Sequence, residues 1–425
     1  MPQPVDVVVI GAGAAGLAAG ARLQAAGVAV AVVEAANRVG GRAHTDVGAF
    51  GVPWDMGCHW LHSASVNPFR IAADELGLRY YQRGNRQARA THLGDRWADE
   101  AERQAVWEAI DGAFAAVKRA GEQGRDIPAS EVLDTTSPWL RMSRHWLALM
   151  SATEAERVST LDYVAYSDTA ENYPVEKGYG ALVLAVAARA APDLDVTLGC
   201  PVERLDWSGP GVALETAKGR LTARCAIVAV PTTAIARGRL RFAPDLPPDL
   251  AEAFAALPLG SAEKVAFQFD RDVFGVPPVT YVDTIDLRDP SRIPVNFTLN
   301  PFGHAMAIAQ LGGANAERLV GEGPAAMVDF ALAALVDAYG ADIRGRVLRT
   351  ATTGWVADPL IGGAYSCALP GQAHMRGRLS RVLGEKVFFA GEAVSPHHYS
   401  TAHGAHETGL AAADAVLARL GRQAA

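Results

Sequence analysis

The chain has 425 residues, of which 50% are hydrophobic and 20% are charged, so it carries enough apolar material for the cores of two or three domains. This composition excludes a disordered or low-complexity protein. The formal net charge is −7 and no basic block occurs, which argues against a nucleic-acid partner.

The sequence contains no recognisable signal for export or membrane anchoring. No apolar stretch approaches the roughly 18 uncharged residues of a transmembrane helix, and neither end matches a signal peptide, a peroxisomal signal or a prenylation signal. The four cysteines form no Cys-x-x-Cys pair, so we interpret them as small buried side chains. We expect a soluble, cytoplasmic monomer or homodimer without a membrane partner.

The first elements predict a strand–helix–strand unit. Residues 6–10 form a short β-branched run typical of a buried parallel strand, and residues 14–26 an Ala- and Leu-rich helix ended by Gly27. Residues 28–34 form a second buried strand. Together they are a βαβ unit.

The rest of the chain combines helix and strand patterns. Periodicity predicts helices over 67–78, 99–121, 142–157, 180–191, 325–339 and 401–420, and strands over 201–207, 211–216, 225–230, 264–269, 295–299 and 387–390. Breaks rich in Pro and Gly predict loops at 243–248, 275–278 and 289–294. Because strands near both ends flank a helix-rich middle, we expect a doubly wound domain assembled from separated segments, with another domain inserted.

A glycine motif joins the first strand to the first helix. Residues 11–16 read Gly-Ala-Gly-Ala-Ala-Gly, the pattern of a tight turn that lets the backbone approach a pyrophosphate at the helix N-terminus. Glu34 ends the next strand, where its carboxylate can accept hydrogen bonds from ribose hydroxyls. The motif predicts dinucleotide binding and leaves FAD and NAD as alternatives.

Four further segments carry a family resemblance. They are Arg-Val-Gly-Gly-Arg at 38–42, Asp-Met-Gly-Cys-His-Trp-Leu-His at 55–62, Phe-Ala-Gly-Glu at 389–392 and Tyr-Ser-Thr-Ala-His-Gly-Ala-His at 399–406. With the glycine motif, and in this order, they resemble the flavin-containing amine oxidase family, which includes monoamine and polyamine oxidases. The resemblance covers 5–78, roughly 178–235, 258–270 and 355–413, which is most of the chain.

The resemblance implies FAD as the cofactor and assigns its binding residues. The first βαβ unit and the Gly-Gly-Arg turn hold the ADP half in that family, and the C-terminal strand and helix hold the ribityl and pyrimidine end. The corresponding residues are Gly11, Gly13, Ala14, Ala15, Gly16, Glu34, Ala35, Arg38, Gly41, Arg42, Gly57, Cys58, His59, Trp60, Val202, Gly391, Glu392, Thr401 and Ala402.

The implied fold is α/β with two domains. A Rossmann-like, doubly wound FAD-binding domain is expected from residues 1–78, 192–240 and 385–425, and is therefore discontinuous. An inserted α+β substrate-binding domain, a mixed sheet plus helices, is expected from residues 79–191 and 241–384.

Lys264 is one of only five lysines and heads an alternating strand, on which its side chain shares a face with Ala266 and Gln268. From the sequence alone, an ammonium group in solvent is the simpler interpretation. By resemblance, Lys264 matches the family's lysine that holds a water against flavin N5. A donor there would position water or dioxygen and favour the charge that develops during flavin reoxidation.

Two aromatic residues lie ten positions apart, Trp355 and Tyr365. By resemblance, Trp355 packs beside the flavin and Tyr365 forms one wall of an aromatic cage for the amine. Two core aromatics are the alternative interpretation. Ala364 stands where monoamine oxidases have the cysteine that bonds covalently to FAD, so we expect FAD to be bound non-covalently.

His62 and Thr401 favour a polyamine substrate by resemblance. Thr401 replaces the second cage tyrosine of monoamine oxidases, and His62 matches a polyamine-oxidase histidine, although Ser63 replaces the glycine that follows it there. Candidate carboxylates for the distal ammonium groups are Asp168, Glu171 and Glu176, with a solvated loop as the simpler interpretation. The histidines at 397, 398, 403 and 406 form no closed ligand set, so we expect no metal.

The expected reaction is oxidation of a C–N bond in a polyamine or other small primary or secondary amine. The imine is hydrolysed to an aldehyde and an amine, and O2 is reduced to H2O2. Lys264, Tyr365, Trp355 and His62 are the expected catalytic residues, with the amine and O2 as partners. An L-amino-acid oxidase with an arginine for the substrate carboxylate, an FAD-dependent dehydrogenase or desaturase with another electron acceptor, and a non-enzymatic flavoprotein are the alternatives.

Overall fold

The computed structural model describes residues 5–82 and 89–422. Its strands are β1 (Val7–Ile10), β2 (Val30–Val33), β3 (Thr45–Asp46), β4 (Trp54–Asp55), β5 (Trp60–Leu61), β6 (Arg89–His92), β7 (Tyr173–Pro174), β8 (Val196–Thr197), β9 (Val202–Asp206), β10 (Val212–Thr216), β11 (Gly219–Ala223), β12 (Cys225–Val228), β13 (Arg241–Ala243), β14 (Ala262–Phe269), β15 (Thr280–Thr284), β16 (Val295–Leu299), β17 (Met306–Gly312), β18 (Val347–Thr352) and β19 (Val387–Phe389). Its helices are α1 (Ala14–Ala25), α2 (Pro68–Glu75), α3 (Glu100–Glu122), α4 (Leu140–Ser151), α5 (Thr160–Ala165), α6 (Tyr179–Ala190), α7 (Thr232–Ala236), α8 (Pro248–Ala256), α9 (Gly313–Glu322), α10 (Pro324–Tyr339) and α11 (Ala402–Arg419).

A five-stranded parallel sheet is built from both ends of the chain and its middle, in the order β19-β12-β1-β2-β8. Alternate residues of β1 enter two different cores, as the two-residue period of a strand requires. Val7 and Val9 pack with α1 and α11, whereas Val8 and Ile10 pack with β9, β10 and α8. Burial on both faces explains why β1 is a continuous apolar run.

Glycines bring the first helix close to its neighbours. A Cβ on Gly16 would lie 1.8 Å from the carbonyl oxygen of Gly11, so α1 could not start this close to β1 with a larger residue. A Cβ on Gly409 of α11 would lie 2.1 Å from the carbonyl oxygen of Ala15. The first turn of α1 is therefore held between β1 and α11.

The second large sheet is mixed, in the order β18-β14-β17-β16-β15-β6, and is antiparallel except for the β15–β6 pair. One face is apolar and packs on α9 and α10. The other face carries four polar side chains that lie directly opposite one another on successive strands, and we call them the polar row: Lys264, Gln310, Asn296 and Asp283.

The predicted α/β fold class is confirmed, and the differences from prediction are local. The helix predicted over 142–157 ends at Ser151, because Ala152 adopts a left-handed conformation with φ 56°, and residues 155–157 form a separate turn. Pattern reasoning missed four helices, the short strands and most of the mixed sheet: α5, α7, α8, α9, β3 to β8, β11, β13, β15, β17 and β18. Across residues 5–82 and 89–422, no helix combines the length and apolarity that crossing a bilayer demands.

The packing bears on the predicted domain boundaries. Helix α8 and residues 368–384 contribute to the core under the parallel sheet, although both fall in the predicted substrate-binding segments. Helix α6 packs on α1 in the same way. The division into two domains stays a prediction, and these contacts favour a larger FAD-binding part than the sequence indicated.

Candidate active site

A cavity of about 800 Å³ opens at the carboxyl ends of β1, β2, β12 and β19 and extends to the polar row of the mixed sheet. Ligands of doubly wound folds bind at this edge. Every residue predicted for FAD binding or catalysis lines the cavity except Gly16. Gly16 acts one step away, because its missing side chain lets α1 approach β1.

The end of the cavity that is predicted to hold the nucleotide lies beside Glu34. The Glu34 carboxylate accepts hydrogen bonds from the backbone N–H of Ala12 at 2.6 Å and of Ala36 at 2.8 Å. These bonds fix the carboxylate at the end of β2, and Val202, the first residue of β9, lines the same region. Gly11 has φ +100°, so the turn leaves the backbone open towards the cavity.

An ion pair joins the Gly-Gly-Arg turn to the C-terminal segment. Arg42 donates to the Glu392 carboxylate at 2.9 Å and to the carbonyl oxygen of Ala364. Glu392 also accepts from the Ser366 hydroxyl at 2.7 Å and the Ser400 N–H at 2.9 Å. Burial raises the pKa of Glu392, but Arg42 and Ser366 outweigh it and lower the net pKa. The group stays ionised and ties the two segments together.

The N-terminus of α11 faces the cavity. Thr401 caps the helix, since its hydroxyl oxygen accepts from the Gly404 N–H at 3.0 Å and donates to the His398 carbonyl at 2.6 Å. Thr401 and Ala402 line the cavity, so the positive end of an 18-residue helix is directed at its contents. The capping bonds explain a threonine here independently of substrate choice.

Three consecutive carbonyls organise the wall beneath Lys264. The Lys264 ammonium donates to the carbonyls of Asp55 at 2.8 Å and Gly57 at 2.7 Å. The indole N–H of Trp355 donates to the carbonyl between them, that of Met56, at 3.0 Å. A Cβ on Gly57 would lie 1.7 Å from the Arg42 carbonyl oxygen, so only glycine permits this approach.

Lys264 thus lies inside the protein, which contradicts the interpretation that its ammonium is in solvent. Burial lowers its pKa below the usual value, and Asp55 partly offsets this. Gln268, on the same strand face as predicted, donates to the Phe50 carbonyl at 3.1 Å. The face of β14 that carries both side chains therefore packs on the segment around residues 50–57.

The 55–62 segment lines the cavity with a row of partly buried rings. His59 is bonded to the Asp55 carboxylate at 3.1 Å, and burial lowers its pKa. Burial likewise raises the pKa of the neighbouring Cys58 thiol. Trp60 donates to the Tyr281 hydroxyl at 3.2 Å, and this bond connects the segment to β15.

Tyr365 and His62 are each oriented by a partner distant in sequence. The Tyr365 hydroxyl donates to the carbonyl of Leu149 on α4. His62 pairs with the Asn172 side chain, which sequence reasoning missed. Burial lowers the pKa of His62 below its usual value, so a neutral ring is expected at neutral pH.

Glu263 is a further cavity residue that the sequence did not identify. Its carboxylate accepts from the Thr353 hydroxyl and from the Val356 N–H at 2.9 Å. The Thr353 hydroxyl in turn accepts from the Lys264 N–H at 2.8 Å. These bonds join the segment that carries Trp355 to β14. No local motif marks Glu263, because its function depends on a segment about 90 residues away.

The three carboxylates predicted to bind distal ammonium groups, Asp168, Glu171 and Glu176, do not form one site in the structure. Glu171 accepts from the Ser65 N–H at 2.9 Å, and Glu176 pairs with Arg79. Both lie away from the cavity, as the solvated-loop interpretation expects. Asp168 lines the cavity but is exposed.

The cavity has the features that FAD requires. It offers glycine backbone and two helix N-termini for a pyrophosphate, a carboxylate for ribose, and aromatic walls. Its volume also falls within the roughly 300–1,000 Å³ of ligand sites. The residues present therefore fit the cofactor.

Comparison with known proteins decides the family. The sequence model for flavin containing amine oxidoreductases matches residues 14–417. The chain belongs to this family. The predicted resemblance, the use of FAD and the assignment as an oxidoreductase acting on amines are thereby confirmed.

Several individual proteins are similar to this chain in sequence or in fold. The chain is 28% identical to polyamine oxidase 4 of Oryza sativa subsp. japonica, over 98% of this chain and 90% of that protein. The fold is similar to that of cyclohexylamine oxidase from Brevibacterium oxydans IH-35A, with a TM-score of 0.79 and 23% identity over 99% of this chain and 100% of that one. It is also similar to a putrescine oxidase variant redesigned in cofactor binding, with a TM-score of 0.77 and 21% identity over 98% and 99% of the two chains.

Proposed function

We propose that the chain oxidises a C–N bond of a small primary or secondary amine, with O2 as electron acceptor. In the net reaction, amine, O2 and water give an aldehyde, a smaller amine or ammonia, and H2O2. The observation that carries this proposal is the Lys264 ammonium, buried on the cavity wall and held by the same three-residue backbone stretch that fixes Trp355.

FAD, when bound, supplies the two-electron oxidation, and the side chains bind and orient the reactants. Tyr365, fixed through its hydroxyl, offers a ring face for the amine. Trp355 forms the adjoining wall, and Glu263 restrains the segment that carries it. Lys264 has one donor position beyond its two carbonyl partners, which is available to a water molecule or to O2.

The walls also favour the reactive form of the substrate. An amine must be deprotonated before it can lose a hydride equivalent, and burial among apolar groups lowers the pKa of an ammonium. His59 and His62 are buried with lowered pKa values, so they add no positive charge at neutral pH. The substrate therefore loses its proton on binding without a strong base from the protein.

Polyamines are the substrate class that the most similar named relatives support, since the rice protein is a polyamine oxidase. The contacts of Thr401 and His62 have structural explanations of their own and do not choose between polyamines and other amines. Cytoplasmic location and the monomer or homodimer state stay predictions. The residue at Ala364 supports non-covalent FAD, so acid precipitation should release all flavin into the supernatant.

The test is an anaerobic titration of the purified holoprotein, with the flavin spectrum as readout. Putrescine, spermidine, spermine, N-acetylspermine, benzylamine, octylamine and L-amino acids are added singly, and O2 is then admitted while H2O2 is measured. Bleaching by an amine, followed by stoichiometric H2O2, supports the proposal. Bleaching by amino acids alone would establish the L-amino-acid oxidase alternative, and a reduced flavin that O2 does not reoxidise would establish a dehydrogenase.

A further inference from the structure

A buried ion pair in an aromatic cage lies at the end of the polar row opposite Lys264. Arg89 of β6 pairs with the Asp283 carboxylate at 3.3 Å. Its guanidinium carbon lies 4.6 Å from the ring centroids of Trp107 and Trp146 and 4.9 Å from that of Tyr281. None of the expected catalytic or cofactor-binding functions uses this cluster.

The cluster belongs to the cavity wall. Arg89, Trp146 and Tyr281 line the cavity, while Asp283 is 0% exposed behind them. The cavity therefore borders Arg89 and not the Asp283 carboxylate. Asn296 donates to the other Asp283 oxygen at 2.8 Å, so both oxygens of this carboxylate already have partners.

The sheet register gives the distance between the two ends of the cavity. Lys264 and Asp283 stand directly in line across four strands, β14, β17, β16 and β15. Three strand spacings of about 4.8 Å separate them by about 14 Å. Lys264 marks the reacting end, so Arg89 lies where the far end of an extended substrate would arrive.

An aromatic cage of this kind attracts a cation. In this chain the cation is already present, because the Arg89 guanidinium occupies the space among the three rings. A second ammonium from a substrate would find the space among the rings already filled by a cation. Asp283 offsets the charge of that cation only in part, because the carboxylate does not border the cavity. An apolar tail would instead pack on Tyr281 and Trp146.

Carboxylates elsewhere on the cavity wall do not compensate. Among the described residues, the carboxylates that line the cavity are Glu34, Asp162, Asp168, Glu203, Glu263, Asp358 and Glu392. Asp162 and Glu392 are ion-paired with arginines. Glu34, Glu263 and Asp358 accept backbone or hydroxyl hydrogen bonds. Asp168 and Glu203 are exposed and screened by solvent.

We propose that Arg89 is a specificity-determining residue that excludes a second ammonium group, so that preferred substrates carry one amine and an apolar or aromatic tail. This inference rests on the proposed amine oxidation and narrows its substrate class away from polyamines. Asp283 holds the Arg89 guanidinium in place through the ion pair, and is a positioning residue.

The experiment compares amines that differ only in the second ammonium: octylamine with 1,8-diaminooctane, and pentylamine with cadaverine. The readout is the ratio of kcat/KM for monoamine over diamine, measured on the holoprotein. We expect this ratio to be about ten or more, which lies between the effect of a like-charge contact at about 4 Å in bulk water and that of the same contact near a protein surface. Any apolar cavity prefers the monoamine to some degree, so the variants decide whether Arg89 is responsible.

Two variants are expected to move the ratio in opposite directions. Arg89→Gln combined with Asp283→Asn removes both charges without leaving a buried carboxylate alone, and should lower the ratio severalfold. Asp283→Asn by itself leaves Arg89 uncompensated and should raise it. Arg318→Gln, which removes an arginine from an exposed pair on α9, is the matched control and should leave the ratio unchanged.

Flavin content and the visible spectrum report whether each variant folds, and the opposite expectation for Asp283→Asn keeps the test decisive should the double variant fail to fold. A parent enzyme that prefers diamines, or a ratio that neither variant moves, would overturn the assignment of Arg89 and leave amine oxidation intact. A flavin that no amine reduces would instead overturn the proposed function itself.

Discussion

Lys264 is a cationic side chain of the cavity wall, held by the same backbone stretch that fixes the Trp355 indole. Its ammonium has two carbonyl acceptors supplied by a segment more than 200 residues away. Burial lowers the pKa of Lys264, and the nearby Asp55 offsets part of this effect. The two carbonyl bonds hold the ammonium group at one position. A hydrogen-bond donor that is already fixed in position can stabilise the charge that develops in the reaction with O2, because the protein does not have to rearrange when the charge forms.

Lys264→Met should therefore slow reoxidation by O2 while FAD stays bound, since no predicted FAD contact is removed. We expect a loss of about 10²-fold, the order found for removal of one preorganised donor. Stopped-flow reoxidation of the reduced enzyme measures it. Lys218→Met is the matched control, because Lys218 also donates to a carbonyl, that of Leu198, but is exposed. If Lys264→Met is reoxidised at the same rate as the parent enzyme, Lys264 does not have the function in the O2 reaction that is assigned to it.

Buried histidines make stability depend on pH. His145 on α4 is 9% exposed, and burial lowers its pKa to about 4. Between about 4 and the usual value near 6.5, the unfolded chain binds a proton that the folded chain does not. The free energy of unfolding therefore falls as pH falls through this window, by up to about 1.4 kcal/mol per pH unit for this residue.

His145→Phe should make the loss of stability between pH 6.5 and 4 shallower. Urea unfolding at several pH values gives the slope for the parent and the variant. His374→Phe, at an exposed position, serves as control and should keep the parent slope. A variant at position 145 with the parent slope would mean that His145 takes up its proton in the folded state as readily as in the unfolded one.

At the scale of elements, the crossing of α1 and α11 positions two helix N-termini at one end of the cavity. The crossing is possible because Gly409 leaves no room for a side chain over the Ala15 carbonyl. Both helices present unpaired N–H groups and the positive ends of their dipoles. Their close packing therefore places both helix ends where the anionic part of FAD is predicted to bind.

Gly409→Ala should destabilise the protein by about 1–3 kcal/mol, the usual cost of overpacking, and should weaken FAD retention. Gly112→Ala is expected to have the opposite effect on stability. Gly112 also lies inside a helix, α3, but a Cβ there meets nothing within 4 Å, so alanine should stabilise by roughly 0.5–1 kcal/mol. Thermal unfolding and flavin content measure both. Equal effects of the two substitutions would show that the crossing tolerates a methyl group.

At the scale of the whole molecule, the cavity is the junction of segments drawn from the entire chain. The parallel sheet supplies its floor, the mixed sheet supplies the polar row, and residues 55–62 run between them. A ligand that contacts all three stabilises the folded chain, because it binds that state alone.

Deflavinated protein should therefore unfold at a lower temperature than the holoprotein. Added FAD, at a hundred times its dissociation constant, should raise the free energy of unfolding by about 2.7 kcal/mol. FMN is the matched probe, since it lacks the adenosine that Glu34 and Val202 are predicted to contact. We expect FMN to stabilise less than FAD at equal concentration. Equal stabilisation would contradict the assignment of the nucleotide end.

Prediction from the sequence succeeded wherever one short segment carries the signal. The Gly-rich turn at 11–16 and Glu34 belong to one βαβ unit and the 38–42 turn follows it directly, so their geometry depends on local chain direction. The Lys264 face was predictable for the same reason, because alternation along a strand is local. Some of the missed elements, such as α5 and α7, are short and gain their stability from the surrounding core. The strand β17 is longer, but apart from Gln310 it is apolar on both faces and carries no alternating pattern.

The sequence by itself determined the family, the cofactor and the α/β class, because these depend on motifs whose spacing along the chain is enough to specify a local shape. Only the tertiary structure decided which groups meet across the cavity. Arg89 and Asp283 are 194 positions apart, and His62 and Asn172 are 110 apart. No local pattern marks either pair, since they come together only when separate strands and loops pack, and that packing sets the charge that a substrate encounters.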